Sequence, residues 1–344
     1  MITDFNRSRS GKGFVAISMP RGKATWAPIM TDGAYPTKNF TKLSHLHTLW
    51  KLFATYMNIG HVIWEEFGMI YYSMQRMREF DNALVIMHLG RISQHPLFQK
   101  LKNEILSALT SNPLVEAETY LPSFNTKYVC FERFIVGGPI YLFEYGPNKQ
   151  HHEIETLLYN WRSKILEHYG FNHYSIPSHH RITITNKTDS GRAKFARRSI
   201  ANLNDVVKFV RTTYPRIRVD VVEWQHFTFR QQLEILLKTT ILITPSGGVS
   251  MIGPFLPHSA HVIVMDSLSD RDNLGFKKGD SASLETKFWA HWHHVRKSFY
   301  QIYDMKEHVW DYEGANDTLH YASVIVNMTR LELLIDKALE DMSP

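Results

Sequence analysis

Hydrophobic and polar positions in the second half of the chain change rhythm several times. The stretch RITIT at 181–185 alternates as a half-buried strand does. From Asn204, a potential cap, Val206, Val207, Phe209 and Val210 give a helix its inner side as far as Thr213, and Pro215 ends it. Residues 217–222 form the next strand. Thr228 and Gln231 have the spacing of a capping box, and Leu233, Leu236 and Leu237 continue an apolar helix face. Two short apolar runs follow, at 241–244 and 261–265, and both read as buried strands. Strands alternating with helices in this way predict a parallel sheet with crossover helices.

Between the last two runs lies PSGGVSMIGPFLPHSA. Ser246, Gly247, Gly248 and Val249 stand where a strand ends, and residues 249–256 have room for about two helical turns. A strand, a glycine turn and a helix start can face backbone N–H groups toward an anion. The same glycines also suit a plain tight connection. The first half is less regular: 45–56 and 61–77 read as helices, 83–88 and 128–136 as strands. Residues 137–152 are rich in turn formers and carry the chain toward a second domain, and 316–339 has helical periodicity. Two α/β halves would place a ligand at the carboxyl ends of the second sheet's strands.

Composition narrows the class. At 344 residues the chain accommodates two domains, and 44% apolar with 21% charged residues is ordinary globular usage. The net charge of +6 comes from scattered Lys and Arg, which suits a small anionic ligand better than a nucleic acid. No apolar run is long enough to span a membrane, and the first residues lack the apolar core of a signal peptide. Cys130 is the single cysteine, so no internal disulfide forms. Asn-x-Ser/Thr tripeptides at Asn6, Asn39, Asn186, Asn316 and Asn327 lean slightly toward a secretory location.

Three blocks resemble glycosyltransferase family 61. NIGHVIWEEFGMIYY is similar to the family's Asn-x-x-His segment, with an acidic residue four positions beyond the His. RRSIANLND is similar to its Arg-x-Ile-x-Asn-x-x-Glu element, and TPSGGVSMIGPFLPHSAHVIVMD matches its His-Gly-Ala-(eight residues)-Pro block in spacing. Ser246 stands where the family usually has His, and Asn186 or Lys187 where an Arg commonly follows the strand. The resemblance implies a GT-B fold of two Rossmann-like domains with a nucleotide-sugar cleft and a C-terminal helix. Residues 1–150 would be the acceptor side, 151–300 the nucleotide-sugar domain and 301–344 a helical segment. It implies an inverting glycosyltransferase that uses a UDP-sugar, acts on a glycan or glycoprotein, and needs neither cofactor nor divalent metal. For a piece of a longer chain it points to the Golgi or endoplasmic reticulum lumen; otherwise a soluble cytoplasmic protein is expected.

The chemistry asks for particular residues. Negative charge grows on the leaving diphosphate, and a guanidinium grips phosphate oxygens in a fork, so Arg198 is the first cation to consider. Gly247 and Gly248 would bring backbone N–H groups close. Asn202 would either hold the Arg198 loop or cap the following helix. Glu65 falls at the acidic position of the first block and would take the acceptor's proton, with His61 one turn before it as orienter or rival base. Glu65 and Glu66 read equally well as a solvated pair on an amphipathic helix. Asp270 and Asp272 form an Asp-x-Asp in a polar loop, a metal-binding pattern in another glycosyltransferase architecture. His291, His293 and His294 near Trp289 and Trp292 invite a zinc site, whose geometry sequence alone does not supply, and suit equally an acceptor sugar site or packing of the cleft wall, the last being preferred; residues 223–229 would border a uracil. The rival readings are a binding module that has lost turnover through Ser246, and a GT-B-like transferase with another donor.

Overall fold

A computed structural model describes residues 38–51, 58–89, 96–135, 154–187, 198–272, 276–283 and 285–342. The chain divides into two compact units, Met1–Leu142 and Phe143–Pro344. Both are mixed α/β units built on parallel sheets.

In the first unit the strands are β1 (Phe40–Lys51), β2 (Val85–Leu89), β3 (Val115–Glu116) and β4 (Tyr128–Ile135). They pair in the order β3-β2-β1-β4, all parallel. A π-helical segment, His61–Phe67, runs into α1 (Gly68–Met77); α2 (Pro96–Leu106) and the short α3 (Ala117–Tyr120) follow. The helix expected over 45–56 is not formed: as far as Lys51 that stretch is β1, and 52–57 lie outside the described residues. β1 is flanked on both edges, and Leu46, His47, Thr48, Leu49 and Trp50 are all buried. A strand covered on both faces loses the alternation that would have marked it.

The second unit begins with α4 (Ile154–His168). Then come β5 (Arg181–Thr185), α5 (Leu203–Thr213), β6 (Arg218–Val222), α6 (Phe229–Leu237), β7 (Ile241–Pro245) and β8 (His261–Met265). The small strands β9 (Ser267–Leu268) and β10 (Ser281–Ala282) pair with each other, and α7 (Thr286–Ala290) precedes β11 (Arg296–Tyr300). β12 (His308–Trp310), α8 (Thr318–Tyr321), β13 (Ala322–Val324) and α9 (Met328–Asp341) complete it.

The main sheet has the order β11-β8-β7-β5-β6, all parallel. The winding reverses between β5 and β7, so a crevice opens outside the carboxyl ends of those two strands. Every residue of β7 and β8 is buried, as expected for strands covered by helices on both faces. The expected capping box is present: Gln231 N donates to Thr228 Oγ1 at 3.2 Å, and Thr228 N to Gln231 Oε1 at 2.9 Å.

The single helix expected over 316–339 is instead α8, β13 and α9. Residues 322–326 are mostly β-branched, and the first three pair with β12 while Val324 also bridges to Ile200. Asn327 then caps α9 by accepting from Arg330 N at 3.1 Å. Leu331, Ile335 and Ala338 of α9 pack into the same core as Ile182, Ile243 and Ile263 of the sheet.

Candidate functional site

The carboxyl ends of β5 and β7 bring together two cations and a glycine turn. Lys187 lies two residues beyond β5, and Asn186 before it is tied down by a 2.8 Å bond from its Nδ2 to Glu223 Oε1, just past β6. Ser246 and Gly247 directly follow β7. Arg198 reaches this turn from the segment before α5. A Cβ built on Gly247 would stand 2.9 Å from Arg198 Nη2 and 3.0 Å from its Cζ, so the guanidinium lies against the bare Cα. Gly247 also has φ +109°, a conformation side-chain-bearing residues rarely adopt. The demand for glycine thus falls on Gly247 for two reasons, whereas Gly248 has no positive φ.

Arg198 itself has φ +41°, a left-handed conformation that costs a non-glycine residue roughly 1–2 kcal/mol. Backbone pairing holds it there. Val324 N donates to Ser199 O and Ala201 N to Val324 O, both at 2.8 Å. Asn202 occupies the N-cap position of α5, yet its side chain makes no capping bond. Its Nδ2 donates to Val326 O at 2.9 Å and its Oδ1 accepts from Val326 N at 2.8 Å. Of its two expected roles, Asn202 serves the one that holds the Arg198 segment.

The local electrostatics are unusual. Arg198 Nε is buried and has no hydrogen-bond partner among the described residues. Burial, with the charge of Arg198 adding to it, pulls the Lys187 ammonium down to about 7, and Glu285 and Asp311 oppose the fall. At the end of β8, burial pushes the Asp266 carboxyl up to about 7, Glu285 adds to the rise, and Asp266 Oδ1 has no partner among the described residues. A desolvated lysine and an arginine beside a glycine turn, at the reversal of a parallel sheet, make an arrangement chemically suited to an anion.

Ser246 is 5% exposed, and Val249 stands at the N-cap of a buried 3₁₀ helix, Ser250–Phe255, with Pro254 inside it. Pro254 O accepts from the fully buried Arg162 Nε at 2.5 Å and from His294 Nε2 at 2.9 Å. A Cβ on Gly253 would collide with the ring of Trp289. Trp289 and Trp292 are 0% and 1% exposed, which makes them core and not the wall of an open site. Burial, with Arg162 adding, holds His294 down to about 3, so it is neutral near pH 7. His291 and His293 lie within 3.8 Å and 3.3 Å of Glu155. Asp270 and Asp272 serve separate local contacts, with Thr318 Oγ1 and with Lys278 N. Among the described residues, no group of three or more His, Cys, Asp or Glu is arranged to hold a metal ion.

In the first unit, Asn58 Oδ1 accepts from Gly60 N at 2.9 Å and starts the helix that carries His61. His61 Nδ1 donates to Glu65 Oε2. The side chain of His61 is 30% exposed and that of Glu65 6%. The pair sits in a π-helical stretch, a geometry frequent at functional sites, ten residues beyond the carboxyl end of β1. Glu66 is 1% exposed and interacts with Lys102 of α2, itself 4% exposed and held below its ordinary pKa by burial. The expectation of a solvated Glu65–Glu66 pair is therefore overturned.

Sequence reasoning noticed Lys187 only as a departure from an expected Arg, although a cation directly after a strand was the available signal. Nothing in the sequence marked Asp311 or Glu285.

The fold and this cluster define a parallel α/β protein with two cations and a glycine turn at a strand-order reversal. Residues 120–263, less than half of the chain, match the family model described as Glycosyltransferase 61, the family that the sequence blocks resemble. The match contains the Arg198 block and nearly all of the Gly247 block; the His61–Glu65 block lies outside it. A comparison with curated proteins finds no match. Among solved structures, the E. coli heptosyltransferase WaaC with ADP aligns over 87% of this chain and 99% of that chain, at 7% identity and a TM-score of 0.38. That likeness is too remote to carry an argument. Among the described residues, no helix is long and apolar enough to cross a membrane.

Proposed function

We propose that the protein is an inverting glycosyltransferase of the GT-B type that moves a sugar from a UDP-sugar to a hydroxyl of a glycan or glycoprotein. The observation that supports it is the meeting of Arg198, Lys187 and Gly247 at the carboxyl ends of β5 and β7. As the bond from sugar to diphosphate breaks, negative charge gathers on the leaving oxygens, and two side-chain cations already in place stabilise it. An arriving diphosphate would also hold the Lys187 ammonium charged. In this reading Glu65 removes the proton of the acceptor hydroxyl and His61 orients its carboxylate; a base at this point is worth about 10²–10⁴ in rate. The cations take the part that a divalent ion plays in metal-dependent transferases, so turnover should survive EDTA.

Calorimetric titration with UDP and UDP-sugars, with and without EDTA, tests the assignment. Arg198→Ala should weaken UDP binding by about 1.5–3 kcal/mol, the worth of a charged hydrogen bond. Equal affinity in a folded mutant would refute it. Ser246 in place of the family's usual His favours a second reading, a binding module without turnover. UDP binding without transfer across a broad acceptor panel would select that one.

A further inference from the structure

Asp311 lies 113 residues from Arg198 in sequence and touches its backbone. Its Oδ2 accepts from Arg198 N at 2.8 Å and its Oδ1 from Ser323 Oγ at 2.6 Å. Ser323 Oγ in turn accepts from Ser199 N at 3.0 Å. Asp311 is itself fixed, because its N–H donates to Tyr321 O at 2.9 Å as the β12–β13 pairing continues. The carboxylate therefore supplies the last tie of the strip from Arg198 to Asn202, which runs alongside β13 and on to Val326. It supplies that tie at the one residue of the strip whose φ is left-handed, and whose guanidinium rests on Gly247.

We propose that Asp311 is the positioning residue that aims the Arg198 guanidinium at the anion site, an inference that rests on the reading of that site as a diphosphate site. A carboxylate beside two cations would by charge alone weaken the attraction for an anion. Aiming the guanidinium does the opposite. The two effects have opposite signs, so affinity separates them.

The test is a double-mutant cycle read by calorimetry with UDP and with inorganic diphosphate. Asp311→Ala should weaken both ligands about tenfold, the worth of one charge-assisted hydrogen bond. In the Arg198→Ala background the same change should alter affinity less than about twofold, because the group it aims is gone. Asp311→Asn keeps an acceptor for the Arg198 N–H and removes the charge, so it should restore affinity to the wild-type level or above. Ser323→Ala, which leaves the charge in place, should weaken binding in the same direction by a smaller factor and guards against misfolding of the alanine variant. Unchanged or tighter binding in Asp311→Ala, or equal losses with and without Arg198, overturns the positioning role alone. Wild-type protein that binds neither ligand overturns both this role and the site reading beneath it.

Discussion

Gly247→Ala puts a methyl group where the Arg198 guanidinium lies. The new Cβ would stand 2.9 Å from Nη2, 3.0 Å from Cζ and 3.3 Å from Nη1, whereas comfortable non-bonded contact begins near 3.5 Å. The guanidinium must therefore retreat by about half an ångström or swing away. The backbone resists as well, because φ is +109° and forcing a side-chain residue into such a region costs roughly 1–3 kcal/mol. Two readouts follow. Thermal denaturation should fall by roughly 2–4 °C for each kcal/mol lost. UDP affinity should drop by about 1.5–3 kcal/mol as the guanidinium loses its aim, roughly 10- to 150-fold. Calorimetry and a thermal melt on the same samples measure both. Gly248→Ala, at a position without positive φ, is the control and should do much less. Adding Gly247→Ala to Arg198→Ala should cost little further affinity, because both act on one contact. Wild-type affinity and melting temperature in Gly247→Ala would refute the reasoning.

Lys187→Met should weaken UDP binding yet raise thermal stability. The ammonium titrates near 7 in the folded chain, below its unfolded value, so the folding penalty is full below pH 7 and fades as pH rises toward the unfolded pKa. The mutant's advantage in melts should accordingly be largest at pH 6 and smallest at pH 10; a gain that grows with pH contradicts this. Glu66→Gln should destabilise the first unit in denaturant unfolding, because it removes the negative charge that opposes burial of the Lys102 ammonium, itself bonded to Gln99 Oε1 at 2.7 Å. An unchanged midpoint would mean the pair contributes nothing. Glu65→Gln should keep UDP affinity while transfer falls about 10²–10⁴-fold. Full transfer in that variant would remove Glu65 as the base.

Elements whose signal is local were legible in the residue pattern alone. The strands at 181–185 and 261–265 lie where the pattern put them, and the Thr228–Gln231 box caps α6. Each of these depends on side chains a few residues apart, so a window of the sequence contains the whole interaction. The helix at 61–77 was legible for the same reason, though its π-helical start was not. β1 was misread because a central strand buried on both faces carries no alternation. β13 was absorbed into a helix because a strand that short is stabilised only by the partners it finds, here β12 and Ile200. At the site, the sequence named Arg198 and the Gly247 turn but could not say that they touch. That contact, the tie from Asp311 to the Arg198 backbone and the low pKa of Lys187 arise from packing in three dimensions. Contacts between residues 49 and 113 positions apart, and the loss of water around an ammonium, are properties of packing that no local pattern encodes.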